Sequence, residues 1–228
     1  MAIAAAISHY RFPLWMLDRE RAFLPSNAED AILARTDRQG VRERIMTAKG
    51  NAYRDALASY PVLHTARFSL RKPVEGDIPA IISIAGDWEV ASRLARMPYP
   101  YSEENARFFL AEIVPRELAW SILDRRSGQM VGVIGLAPCE HPPGAIELGY
   151  YIGRQYWGKG IATEAGAVVV ALGIGLVGQR NLRSGYFTDN PASGHVLKKL
   201  GFVRLCTSER SCLTTGEAKP SIDVGFPE

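Results

Sequence analysis

Residues 147 to 164 read E-L-G-Y-Y-I-G-R-Q-Y-W-G-K-G-I-A-T-E. An apolar strand runs straight into a short turn, Gln155, Tyr156, Trp157, Gly158, Lys159, Gly160, and a helix of small residues follows at once. Two glycines and one cation in such a turn can bare a row of backbone N–H groups at a helix N-terminus. Aligned donors and the positive end of the helix dipole together hold a phosphate or pyrophosphate. A plain tight connection is the competing reading. The turn has neither the G-x-x-x-x-G-K-[ST] form of a triphosphate loop nor the G-x-G-x-x-G of a dinucleotide fold.

The chain around this stretch divides in two. Residues 1–62 show no strand-and-turn rhythm and are read as a helical N-terminal extension; residues 63–228 are read as the main domain. In the extension, Val41, Ile45, Ala48 and Ala52 fall at helical spacing and predict a helix from about 40 to 58. A shorter helix is expected near Ala28–Ala34, capped by Ser26 or Asn27. The apolar cluster Phe12, Leu14, Trp15 and Met16 reads as packing onto the main domain, with a lid or an oligomer contact, such as a homodimer, as the functional alternative.

In the main domain, Thr65–Arg71 alternates as a half-buried strand. Ile78, Ile81, Ile82 and Ala85 make one helical face, and a short helix covers Glu89–Leu94. After the extended loop Pro98–Tyr101, Ser102 caps a helix burying Ala106, Phe109, Leu110 and Ile113. Strands are expected at 120–123, 130–136 and 145–152, forming an antiparallel meander. The helix after Gly160 is apolar nearly all round and is expected against the sheet. A strand at 182–187, a helix from Pro191 to about Leu200, and closing strands at 202–205 and 222–226 complete the order.

Composition narrows the function classes. With 47% hydrophobic and 22% charged residues in 228, the chain is an ordinary globular one. Its net charge of +3 is spread along the sequence, which argues against nucleic acid as a partner. The three cysteines, Cys139, Cys206 and Cys212, lack metal or redox spacing and suit a reducing cytoplasm. Residues 1–7 are too short and too uncharged for a signal peptide, and the apolar run Ala165–Val177 is too short to span a membrane.

Two further features carry chemistry. Glu147 alternates with Gly149 and Tyr151 on one face of its strand, while Ile146, Leu148, Tyr150 and Ile152 occupy the other. A carboxylate there is either a general base with a raised pKa, or an exposed or ion-paired sheet residue. In Asn190-Pro191-Ala192-Ser193, Asn190 reads as a helix cap, and the functional alternative gives it a hydrogen bond to a ligand amide and Ser193 a proton to deliver.

Taken together, Q-Y-W-G-K-G fits the Q/R-x-x-G-x-G/A signature of the GNAT acetyltransferase superfamily. E-L-G-Y-Y-I, D-N-P-A-S-G-H-V-L-K-K-L-G-F, T-A-R-F-S-L-R and M-P-Y-P-Y-S-E-E-N-A resemble the branch that includes ribosomal-protein alanine N-acetyltransferases. The resemblance spans residues 64–206, with the motifs in family order; His195 departs from the arginine such proteins often carry. It implies an α+β fold with a mixed, mostly antiparallel sheet splayed in a V and flanked by helices. It also implies acetyl-CoA as co-substrate, no metal, and an amine acceptor that is a small molecule or a protein N-terminus. Backbone groups of Tyr150, Tyr151 and Ile152 would pair with pantetheine. Gln155 and the amides of Trp157, Gly158, Lys159, Gly160 and Ile161 would hold the pyrophosphate. Asn190 and Ser193 would border the thiol. Glu147 would be the base and Ser193 the acid, with Tyr151 in reserve as acid. A non-catalytic acyl-CoA sensor and a different acyl donor are the alternatives.

Overall fold

The computed structural model describes residues 52–139 and 142–227. The expected helix at 28–34, the cluster at 12–16 and most of the expected helix at 40–58 lie outside that range. Within it, residues 52–59 are helical (α1). Two short strands follow, β1 (Leu63–His64) and β2 (Phe68–Arg71), then α2 (Ile78–Ala85), α3 (Trp88–Ala91) and α4 (Glu103–Phe108). Next come β3 (Leu118–Asp124), β4 (Met130–Pro138), β5 (Ile146–Ile152), α5 (Ile161–Val177), β6 (Leu182–Phe187), α6 (Pro191–Lys199), β7 (Val203–Cys212) and β8 (Glu217–Gly225).

The strands form one eight-stranded sheet in the order β1-β2-β3-β4-β5-β6-β8-β7. Every pairing is antiparallel except β5 with β6, which α5 connects. This is the mixed, mostly antiparallel sheet flanked by helices that the resemblance implied.

Alternation on the central strands supplies two buried faces. On one, Trp120, Ile122, Ile134, Leu136, Ile146 and Leu148 pack with α5, α6 and Tyr53 and Ala56 of α1. On the other, Ala119, Met130 and Val133 pack with α2, α3 and α4. Nine residues of α5 are buried, as its near-continuous apolar sequence requires. No helix among the described residues is long and apolar enough to cross a membrane.

Local chemistry explains most boundaries. Ser102 and Asn105 form a reciprocal capping box at the start of α4. Residues 109–113 continue α4 as a π-turn; of the expected apolar face Ala106 is buried, whereas Phe109, Leu110 and Ile113 are only partly so. The alternating stretch at 65–71 is strand only from Phe68, because Thr65 folds its hydroxyl back to accept from the Phe68 N–H. The final hairpin departs most from expectation. Its strands run ten and nine residues, far beyond 202–205 and 222–226. Thr207-Ser208-Glu209-Arg210-Ser211 has no apolar alternation because β7 is an edge strand that buries little.

Three side chains tie α1 and the residues after it to the sheet. The Tyr53 hydroxyl donates to the Leu136 carbonyl at 2.7 Å and accepts from the Leu118 N–H at 3.1 Å. Leu118 and Leu136 are paired residues of β3 and β4, so the phenol inserts where that ladder ends. Tyr60 binds both backbone groups of Ala119, and Trp120 donates its indole N–H to Pro61 O at 2.8 Å. Burial raises the Tyr60 phenol to about 12, so it stays a donor.

A second strap holds the start of α5 against β2. Glu164, in the first turn, accepts from the Thr65 hydroxyl at 2.7 Å, the Arg67 N–H at 2.9 Å and the Arg67 guanidinium at 2.6 Å. Arg67 also donates to the Lys159 carbonyl at 3.1 Å, inside the glycine turn. Desolvation opposes the Glu164 charge, but the Thr65 and Arg67 hydrogen bonds outweigh it and hold the carboxyl below the usual glutamate value.

Tyr53→Phe leaves the Leu118 N–H buried without its partner and is expected to destabilise the fold by about 1–3 kcal/mol in chemical denaturation. Glu164→Gln tests the second strap. A lowered folded pKa stabilises above the unfolded value and loses that contribution as pH falls. The stability difference between parent and Glu164→Gln is therefore expected to be full at neutral pH and to shrink below about pH 4.3. A gap that persists undiminished in the acid would show that the carboxylate charge is not what Arg67 and Thr65 stabilise.

Candidate functional site

β5 and β6 have seven and six residues, yet only two pairs are in register, Ile146 with Leu182 and Glu147 with Arg183. Past that point the strands diverge. The Ser184 hydroxyl donates to the Leu148 carbonyl at 2.8 Å and spans the gap at its apex. Along a strand, backbone groups of residues i, i+2 and i+4 point to the same side. Leu148, Tyr150 and Ile152 therefore present theirs to the gap. The Ile152 carbonyl is taken by the Trp157 indole N–H at 2.7 Å.

The gap leads to the glycine turn. Gly158 and Gly160 sit at φ of 74° and 73°, the left-handed region in which side chains are strained. Gly160 is the N-cap of α5 and supplies no side-chain cap. A helix cannot satisfy its own first N–H groups, so those of α5 remain available to an external acceptor. Gln155, Trp157, Gly158, Lys159 and Gly160 are all exposed. Arg93, just beyond α3, lies 5.6 Å over the Trp157 ring and donates to the Asp189 carbonyl at 3.3 Å. It thus joins the turn to the loop before Asn190, a link no local motif announces.

On the α5 side of the sheet, Tyr150 reaches α6. Its hydroxyl lies 2.8 Å from the Ser193 hydroxyl and 3.2 Å from the Ser193 carbonyl. Burial lifts the phenol to about 12 against the opposing pull of the Ser193 hydrogen bond. Asn190 caps α6 by accepting from the Ser193 N–H at 3.3 Å, which leaves its amide nitrogen as a donor. Tyr151 faces the other way and packs with the α2–α4 core. The phenol that touches Ser193 is therefore that of Tyr150.

Glu147 is on the same side as Tyr151. One of its oxygens accepts from Arg210 of β7, and Arg210 also donates to Asp223 of β8 at 2.6 and 3.2 Å. The glutamate is thus ion-paired, one of the two states its sequence allowed. Gly149, also on this face, is exposed, with nothing within 4 Å of where a side chain would begin. Cys139 is half-buried nearby. Desolvation, reinforced by the Glu147 charge, pushes its thiol up to about 12, which disfavours the thiolate a nucleophile needs. The tip of the β7–β8 hairpin closes this face: the Thr214 hydroxyl lies 3.0 and 2.8 Å from the Ala91 and Met97 carbonyls, sharing one O–H between them. Among the described residues, no group of three or more His, Cys, Asp and Glu is arranged to hold a metal.

The Acetyltransferase (GNAT) domain family matches residues 67–203. The chain is 30% identical over 150 residues to the uncharacterized N-acetyltransferase YoaA of Bacillus subtilis, covering 64% of this chain and 84% of that one. A spermidine N-acetyltransferase from Vibrio cholerae, solved with CoA and spermine, superimposes with a TM-score of 0.59 at 17% identity, covering 70% of this chain and 94% of that chain. A ribosomal-protein-S5-alanine acetyltransferase from Vibrio fischeri superimposes with a TM-score of 0.57 at 18% identity, covering 72% and 94%. A strand splayed from its neighbour, feeding a glycine turn and an uncapped helix, is thus set in the matched domain itself: the chain belongs to the GNAT acetyltransferase family.

Proposed function

We propose that this chain transfers an acetyl group from acetyl-CoA to a primary amine by direct attack. The observation that carries the reading is the continuity of the β5–β6 gap with the uncapped N-terminus of α5. An extended, amide-bearing chain ending in a pyrophosphate matches both halves. The pantetheine arm pairs with backbone groups of Tyr150 and Ile152, which turn into the gap, while Tyr151, whose backbone turns to β4, lies between them. The pyrophosphate rests on the amides of Trp157 to Ile161, with Gln155 and Lys159 beside it. Asn190, through its free amide nitrogen, and Ser193 border the thiol end.

The chemistry follows from the two sides of the gap. Glu147, directly or through water, takes a proton from the acceptor ammonium. The freed amine attacks the thioester carbonyl, and a backbone N–H at the splay stabilises the oxyanion. As the carbon–sulfur bond breaks, Ser193 protonates the thiolate. The second proton, shed by the nitrogen as the amide forms, restores the Ser193 hydroxyl, to which Tyr150, protonated at neutral pH, is hydrogen-bonded.

The acceptor is a protein N-terminus or a small amine such as a polyamine. The two structural relatives act on an alanine of a ribosomal protein and on spermidine, and the early motifs resemble the former branch. A second reading, a non-catalytic acyl-CoA sensor, draws its support from the Arg210 ion pair, which engages one oxygen of Glu147. Thiol release from acetyl-CoA, measured across spermidine, an alanine-terminated peptide and an aminoglycoside, separates the two. Coenzyme binding without thiol release on any of them would favour the sensor.

Glu147→Gln is expected to lower kcat by about 100-fold while coenzyme affinity stays near parental. A variant rate equal to the parent's across about pH 6 to 9 would remove Glu147 as the base. Gly160→Val is expected to weaken acetyl-CoA binding at least about ten-fold in calorimetry, because a β-branched residue resists a positive φ. Within the chain the obstacle is the backbone, since Arg67 alone comes near a side chain at 160 and nothing does at 158. Unchanged affinity would place the pyrophosphate elsewhere.

A further inference from the structure

Arg210 makes a connection that neither the motifs nor the family match accounts for. It stands on β7, the edge strand, whereas Glu147 stands on β5, and β8 and β6 lie between them. The side chain crosses both. It anchors on Asp223 of β8 through Nε and Nη2, passes over Gly185 of β6, and delivers Nη1 to Glu147 Oε1. The path is open only because residue 185 is glycine. A side chain there would overlap the Arg210 guanidinium, while the glycine's backbone needs no positive φ. Room for the arginine is therefore the reason the structure offers for Gly185.

The three groups are only partly exposed: 20% for Arg210, 34% for Glu147 and 28% for Asp223. A planar guanidinium held by one carboxylate presents its remaining edge in a set direction. Glu147 Oε2 makes no hydrogen bond among the described residues. The arrangement takes one oxygen of the carboxylate and leaves the other for a proton-bearing group.

Resting on the reading of Glu147 as the base, we propose that Arg210, anchored by Asp223 and admitted by Gly185, is the positioning residue that fixes the Glu147 carboxylate for the acceptor amine. It touches no reacting atom itself. Removing it frees the carboxylate to rotate and leaves it facing Asp223 without the intervening cation, so turnover suffers while the coenzyme seat is untouched.

The test is a double-mutant cycle on full-length protein. It uses whichever amine among spermidine, an alanine-terminated peptide and an aminoglycoside the parent acetylates fastest. Arg210→Met is expected to lower kcat about ten-fold or more, with the acetyl-CoA KM within about two-fold of parental, since misplacement of a catalytic group by an ångström can cost that much. Arg210→Lys, which keeps the charge but not the fork, is expected to recover part of the loss. On a Glu147→Gln background, Arg210→Met is expected to change kcat by less than about two-fold, because a residue acting only through Glu147 has nothing left to position. Gly185→Ala provides the same perturbation with every charge retained, and decides the matter if Arg210→Met does not fold. It too is expected to slow the parent and not the Glu147→Gln variant. Equal losses on both backgrounds, or a folded Arg210→Met at parental kcat, would overturn the proposal and leave the base assignment standing. A parental rate for Glu147→Gln alone would overturn both.

Discussion

The early end of one hydrogen-bond ladder is the constraint on which this molecule turns. β5 and β6 register over two residue pairs and then part, so a continuous sheet becomes a sheet with a slot. Backbone amides are obligatory hydrogen-bonding groups; on the slot side the Leu148 and Ile152 carbonyls accept from Ser184 and Trp157, while Tyr150 has no strand partner there among the described residues. The slot persists because each side is held by its own partners. β5 is paired along its whole length with β4, and β6 along most of its length with β8. Ser184 marks the point of divergence by bonding the Leu148 carbonyl.

The two sides of the sheet then take different roles. Beneath β5, Tyr150 and Ser193 link the strand to α6 through hydroxyls, a neutral pair suited to moving a proton. Above it, Glu147, Arg210 and Asp223 form a charged chain carried in from the sheet edge. Strand alternation separates the two: consecutive residues 150 and 151 cannot serve the same face. The neutral and charged groups are thus kept on opposite sides of β5, and in the proposed reaction a thioester and an amine would meet between them.

Several elements were legible in advance because a single periodicity or a local bond decides them. The strand at 182–187 is found where apolar residues and its flanking breakers put it, and α5 is buried as its composition demanded. Ser102 and Asn190 cap helices through contacts three residues away, which sequence spacing encodes directly. The long β7–β8 hairpin was not legible. An edge strand buries one face at most, so its polar residues carry no alternating signal, and its length comes from pairing with β8. Arg210 was missed for the same reason. Its importance comes from what it reaches across two strands and not from its neighbours in sequence. Arg93 over Trp157 is another contact of that kind.

By itself, the sequence determined the order of the elements, the glycine turn opening α5, the partition of β5 into two faces and the family. Each element and motif behind these depends on residues within one turn or one strand of each other, where hydrophobic period and φ preference act. Only the tertiary structure decided that the splay begins after the second pair, that Tyr150 and not Tyr151 meets Ser193, and that Glu147 is paired with an arginine 63 residues away. Those depend on strand register and on the packing of elements remote in sequence, which long-range burial and ion pairing settle once the sheet has formed.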